Sequence, residues 1–165
     1  MLDGLVVFAI AAVSGAVPPS LAVPAGATLS LQAEGRGVQI YVCEAKPDEP
    51  GAYHWSFKAP RASLYGPEGK VIGRHFAGPT WEGADGGKVV GELLAKAASP
   101  DPAAIDWLLL SAKSTNGAGV LGNTRYVQRV RTVGGRAPDG GCIAAKLGSE
   151  TQVPYTAEYD FYSAP

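Results

Sequence analysis

The stretch Leu64–Gly91 (LYGPEGKVIGRHFAGPTWEGADGGKVVG) constrains this chain more than any other. Within it Gly69-Lys70-Val71-Ile72-Gly73 returns as Gly87-Lys88-Val89-Val90-Gly91. Each copy follows a turn-forming cluster, Gly66-Pro67-Glu68 in the first case and Gly83-Ala84-Asp85-Gly86 in the second. Proline presets φ at the second position of a turn and glycine supplies positive φ, so both clusters read as hairpin turns with a strand after each. Between the copies lies Arg74-His75-Phe76-Ala77-Gly78-Pro79-Thr80-Trp81, the densest mixture of histidine, aromatic and glycine in the chain.

The same grammar of short runs and tight turns continues on both sides. Thr28–Ala33 and Val38–Glu44 read as strands, the second with Val38, Ile40 and Val42 on one face and Gln39, Tyr41 and Cys43 on the other. Apolar character on both faces marks a central strand. Tyr53–Lys58 alternates, with Tyr53, Trp55 and Phe57 inward and His54 facing solvent or the lumen of a barrel. Val89–Ala98 is open between a short helix and a continuing strand, because alanine and leucine favour one and the preceding Gly-Lys-Val-Val-Gly the other. Asp106–Lys113 is apolar on both faces and reads as a buried strand. Arg125–Val133 reads as a strand with Arg125, Arg129 and Arg131 on one parity. Gln152–Tyr162 alternates best, with Val153, Tyr155, Ala157, Tyr159 and Phe161 inward. The expected fold is all-β: an antiparallel β-sandwich or closed β-barrel of about seven to ten short strands, with at most one short helix.

A length of 165 residues is enough for one domain with a single substantial core. A hydrophobic content of 46% excludes a disordered chain despite 22 glycines and 13 prolines. A net charge of −1 provides no global field for nucleic acid or an anionic membrane, so no nucleic-acid partner is expected. The apolar run Leu5–Val13, followed by small residues at Ser14/Ala16 and again at Ser20/Ala22, resembles a signal peptide and is too short to span a bilayer. It lacks a preceding Lys or Arg and has Asp3 instead, so residues 1–22 are either a signal peptide or an N-terminal arm, and residues 23–165 a single β domain. The expected product is monomeric and exported to the periplasm, the cell envelope or the medium. Cys43 and Cys142 are either two buried thiols or a disulfide; export favours the disulfide. Closing so long a loop stabilises by about 4–5 kcal/mol in the chain-entropy model.

Several long segments resemble one family. Gly37–Cys43 (GVQIYVC), Gly73–Trp81 (GRHFAGPTW), Trp107–Leu110 (WLLL), Gln128–Pro138 (QRVRTVGGRAP) and Val153–Tyr159 (VPYTAEY) resemble the family catalogued only as Domain of Unknown Function 3455. The resemblance covers about residues 23–163. It implies a bacterial or fungal protein, commonly exported, and brings no activity or catalytic residue with it.

The candidate chemistry is sparse. Gly117-Ala118-Gly119-Val120-Leu121-Gly122 spells GxGxxG, but it leads into a strand where a dinucleotide site needs a helix, so it reads as a glycine-rich loop. His54, His75, Glu82 and Asp85 form a weak ligand set with no HxH or HExxH spacing, and no metal or cofactor is expected. Arg129 and Arg131, with Arg125, offer forked donors to an anion, against the commoner reading of a solvated strand face paired to carboxylates. The tryptophans and tyrosines line a pocket for an apolar or carbohydrate-like ligand or simply pack a β core. His75 and Trp81 are expected close together at one end of the sheet. There they receive a small polar, ring-shaped ligand with Glu82 orienting the imidazole, or else His75 bonds a backbone carbonyl and pins the turn. The favoured function is a non-catalytic binding or structural protein of the envelope or extracellular space. Its rival is a metal-assisted or acid/base enzyme using His75 with Glu82 or Asp85.

Overall fold

The computed structural model describes residues 15–164. Eight strands follow one another around a closed antiparallel barrel: β1 (Thr28–Ala45), β2 (Tyr53–Tyr65), β3 (Val71–Phe76), β4 (Thr80–Gly83), β5 (Lys88–Ala97), β6 (Trp107–Asn116), β7 (Thr124–Gly134) and β8 (Glu150–Ser163). The described residues contain three single 3-10 turns and no α-helix. Of the two architectures expected, the barrel is the one formed. The strands are not uniformly short, for β1 runs 18 residues and β8 runs 14. Glu34-Gly35-Arg36-Gly37 does not divide β1 in two, because Gly35 and Gly37 are needed inside the strand. A Cβ on Gly35 would lie 2.5 Å from the Tyr159 ring, and one on Gly37 would lie 2.1 Å from the Arg61 carbonyl oxygen. The Val89–Ala98 segment is strand, since its residues are wanted on two faces: Val89 in the barrel core, Ala95 and Ala97 on the outside.

Both turns of the glycine-rich repeat are hairpins, between β2 and β3 and between β4 and β5. The interior is filled from the end to which these turns belong. Leu64, Trp81, Val89, Leu110, Val127, Tyr159 and Phe161 make the core there, with Leu121 from the β6–β7 connection beneath them. The GxGxxG segment is that connection. It ends in a 3-10 turn (Val120–Asn123) and runs straight into β7. The alternation in β8 holds as expected, with Tyr155, Ala157, Tyr159 and Phe161 all buried.

A second apolar cluster lies outside the barrel wall. Leu21, fully buried, packs with Trp107, Leu109 and Val130, and Val17 and Val23 flank it. The Gln128 amide donates 2.7 Å to the Leu21 carbonyl oxygen. This explains why β6 is apolar on both faces: Leu110 faces the core, whereas Trp107 and Leu109 lie under the N-terminal arm. Val17, Leu21 and Val23 thus pack against the barrel wall. The apolar run Leu5–Val13 lies outside the described residues. No helix of the described residues is long and apolar enough to cross a membrane.

Cys43 and Cys142 form a disulfide, as export led us to expect for the pair. It ties the long β7–β8 connection to β1, alongside backbone bonds from Cys43 to Ser149 and from Gly148 to Cys43.

Leu21→Ala removes the centre of the outer cluster and is expected to lower stability by about 2–5 kcal/mol, as core Leu→Ala changes do. Urea denaturation checks it. A loss below about 1 kcal/mol would show the arm to be a bystander.

Candidate functional site

In an up-and-down barrel the β1–β2, β3–β4, β5–β6 and β7–β8 connections gather at one end. At this end the interior is not filled. Two chambers open there, an outer one of about 710 Å³ and an inner one of about 240 Å³. Gln39, Phe57, Leu108 and Arg129 line both, so the chambers share a wall. The outer chamber takes its sides from Tyr41, Tyr53, Trp55, Asp106 and the Arg136–Gly140 part of the β7–β8 connection. The Trp55 indole donates 2.8 Å to the Gly140 carbonyl, which fixes that connection across the opening on the side the disulfide anchors. The inner chamber is bounded by Pro60, Ala77-Gly78-Pro79, His75, Trp81, Leu110 and Tyr159. An eight-stranded barrel has an interior just wide enough to be filled by side chains or to hold one small ligand. This one does the first at one end and leaves room for the second at the other.

His75 and Trp81 are cross-strand partners on β3 and β4, and both face inward. Their rings stack at 4.4 Å with 13° between planes, and Tyr159 closes on them from β8 at 5.1 Å and 5.6 Å. His75 Nδ1 lies 2.8 Å from the Thr80 carbonyl oxygen. A carbonyl only accepts, so Nδ1 carries the proton and the free lone pair is on Nε2. Burial drives the imidazole pKa down to about 3; the Thr80 bond opposes the shift and the nearby Arg129 charge adds to it. The imidazole is therefore neutral at ordinary pH. It pins the β3–β4 turn and lines the floor of the inner chamber.

Arg129 is the second feature. The three arginines of β7 separate because the strand is bulged between Thr124 and Tyr126 and again between Val130 and Val133. Arg125 is exposed. Arg131, at φ 48°, turns outward to pair with Glu158 at 2.9 Å. Arg129 keeps the inward parity opposite Leu108 and Tyr159, and its Nε and Nη2 both donate to the Asp106 carbonyl oxygen at 3.0 and 2.7 Å. The solvated arginine face expected from the shared parity is corrected on this point, because two bulges break that parity.

Gln39 was not a candidate from sequence. It is 1% exposed, and neither its amide nitrogen nor its amide oxygen has a hydrogen-bond partner among the described residues. Tyr41, beside it, donates to the Gly135 carbonyl, and burial raises its pKa. The signal was present in Val38–Glu44: the face carrying Gln39, Tyr41 and Cys43 is the buried one, and Val38, Ile40 and Val42 are half-buried on the outside. The more apolar face of the strand is the outer one, and the interior takes the other.

The remaining candidates disperse. Glu82 alternates to the outer face and binds Arg74 at 2.9 Å, so it does not orient His75. Gly73 serves the close approach of the Glu82 backbone, whose carbonyl oxygen would lie 2.4 Å from a Cβ there. Asp85 sits at the filled end, where its carboxylate accepts from Val120 and Gly87 amides, and these bonds hold its pKa below the usual range. His54 pairs with Glu44 in the β1–β2 register and, together with Trp55, contributes to the lining of the outer chamber, apart from His75. Among the described residues no group of three His, Cys, Asp or Glu is placed to hold a metal ion.

Residues 24–163 match the family model described as "Protein of unknown function (DUF3455)". No curated protein and no solved structure matches the chain.

The depressed pKa of His75 makes stability depend on pH. Between about 3 and the unfolded value near 6.5 the unfolded chain binds a proton that the native state excludes, so stability falls as pH falls through this window. Between pH 7 and pH 5 the wild type should lose about 2 kcal/mol more than His75→Gln, read from urea midpoints at each pH. Equal losses would mean that the imidazole is hydrated in the native state.

Proposed function

The chain belongs to the DUF3455 family, which carries no assigned activity, and on the geometry of its open end we propose that it is a non-catalytic binding protein that takes a small molecule into the barrel. One observation carries the reading. Gln39 is a fully buried carboxamide with both polar atoms unpartnered, on the wall shared by two chambers. Buried polar groups are satisfied almost without exception, and an orphan costs about 1–3 kcal/mol. A site that retains one in a cavity is explained by a ligand that completes it.

The enzyme reading is less well supported. Glu82 points away from His75 toward Arg74, and Asp85 is engaged with two backbone amides at the other end. Neither carboxylate is therefore placed as an acid/base partner for the neutral His75.

Export is part of the proposal. A disulfide persists in oxidising compartments, and the chain carries an apolar N-terminal run before two small-residue sites. The buried Leu21 favours processing after Ala16 over processing after Ala22, since the latter would strip the outer cluster of its centre. The mass of protein recovered from the periplasm should correspond to a chain beginning at Val17. A chain beginning at Val23 would contradict this choice.

Two measurements test binding. Gln39→Met keeps the shape and removes the orphan amide. It should raise stability by about 1–3 kcal/mol, and a drop would mean that the amide has an internal partner. The neutral fluorophore N-phenylnaphthylamine should bind stoichiometrically to the wild type and not to Leu108→Trp, which fills the space between the chambers while far-UV circular dichroism stays unchanged. No binding, or equal binding by both proteins, would end the proposal.

A further inference from the structure

The geometry points to a small amphipathic anion, a monocarboxylate with an apolar body about the size of one ring, as the ligand of the inner chamber, its carboxylate held by Arg129. This deepens the binding proposal above and rests on it.

The charge of the lining comes first. No Asp or Glu lines the inner chamber among the described residues, whereas Arg129 and, at its rim, Lys58 do. The Lys58 ammonium is already paired with Glu150 on the exterior. That leaves the Arg129 guanidinium as the unneutralised charge. No carboxylate oxygen of the described residues comes within 4.0 Å of it; its hydrogen-bonded acceptor is the neutral carbonyl of Asp106. A cation withdrawn from water is ordinarily paired, and Arg129 is half withdrawn. Here a guest anion is the missing partner, and a guanidinium presents the planar fork that matches a carboxylate.

The number of charges sets the class. One guanidinium balances a monoanion; a phosphate dianion would bring a second charge into a chamber with no second free cation, and a cationic guest would meet Arg129 unopposed. Gln39, unpartnered on the same wall, adds a neutral donor beside the charge. The neutral His75 adds none.

The shape of the rest sets the body. Phe57, Pro79, Leu108, Leu110 and Trp81 give the chamber apolar walls, and the His75–Trp81 stack provides a flat one. At about 30 Å³ per water in the liquid, 240 Å³ accommodates roughly eight water-sized groups, which is one ring and a short substituent.

Benzoate and benzamide have the same outline and differ in charge, so their affinities, measured by calorimetry with the disulfide-intact chain, isolate the Arg129 contribution. Benzoate should bind wild type at least tenfold more tightly than benzamide, and its affinity should fall with added sodium chloride. Arg129→Gln should abolish the preference and leave benzamide unchanged. If loss of the Asp106 contact unfolds that variant, Arg129→Lys keeps the charge without the fork and should retain only part of the preference. Equal affinities in wild type, benzoate binding undiminished in both Arg129 variants, or no binding of benzoate would overturn the inference. Uptake of N-phenylnaphthylamine without a preference for benzoate would leave the barrel-interior reading standing. Failure of both probes would remove the two together.

Discussion

The pairing of β1 with β8 is the constraint on which the rest of this molecule depends. Its register runs from Thr28 opposite Ser163 to Val42 opposite Glu150, and without it the other strands form an open sheet with two long unprotected edges. Closure carries a steric condition. Tyr159 on β8 lies across β1 at Gly35, where a Cβ would fall 2.5 Å from its ring, so the interior aromatic and the bare backbone position are one device. The contact joins residues more than a hundred positions apart in the chain. The loop entropy of making it falls on the last strand, and β8, at 14 residues, is one of the two longest.

Tyr159 also divides the barrel. On one side it contacts the core led by Phe161, Leu64, Val89 and Val127; on the other it meets His75 and the two chambers. The polar atoms near this partition satisfy one another where they can: the Tyr155 and Tyr159 hydroxyls are 2.9 Å apart, and His75 bonds Thr80. Burial keeps both tyrosines protonated and His75 unprotonated, so the floor is neutral although it is built from titratable residues. Among the described residues the charged side chains lining the inner chamber are Arg129 and Lys58, and Lys58 is paired outside with Glu150.

Much of the fold was legible because it follows from the two-residue period of a strand. Gln152–Tyr162 and Asp106–Lys113 were read correctly from alternation and from apolarity on both faces. What alternation does not report is a bulge. The skipped residue Lys58 in β2 and the two irregularities in β7 each shift which face follows, and those in β7 separate Arg129 from Arg125 and Arg131. The His75–Trp81 pair was legible from the Gly-Pro turn between them, whereas the exclusion of Glu82 follows from the same alternation applied one residue further. Gln39 was missed because hydrophobicity is a guide to the inside only where the inside is dry. The open end of this barrel reverses that rule along β1.

Two unsatisfied features, the Gln39 amide and the Arg129 charge, lie on one wall, with the unpartnered Trp81 indole N–H in the lining of the inner chamber as well, and that coincidence is the reason to treat them together. The orphaned Gln39 amide alone disfavours the folded state by an amount comparable to a tenth or more of a typical domain's stability. Barrel closure, the disulfide and the Leu21 packing all stabilise the chain around that wall. A fold held shut by these contacts tolerates an incomplete wall beside the flat aromatic floor of His75 and Trp81, and the proposed ligand site depends on that tolerance.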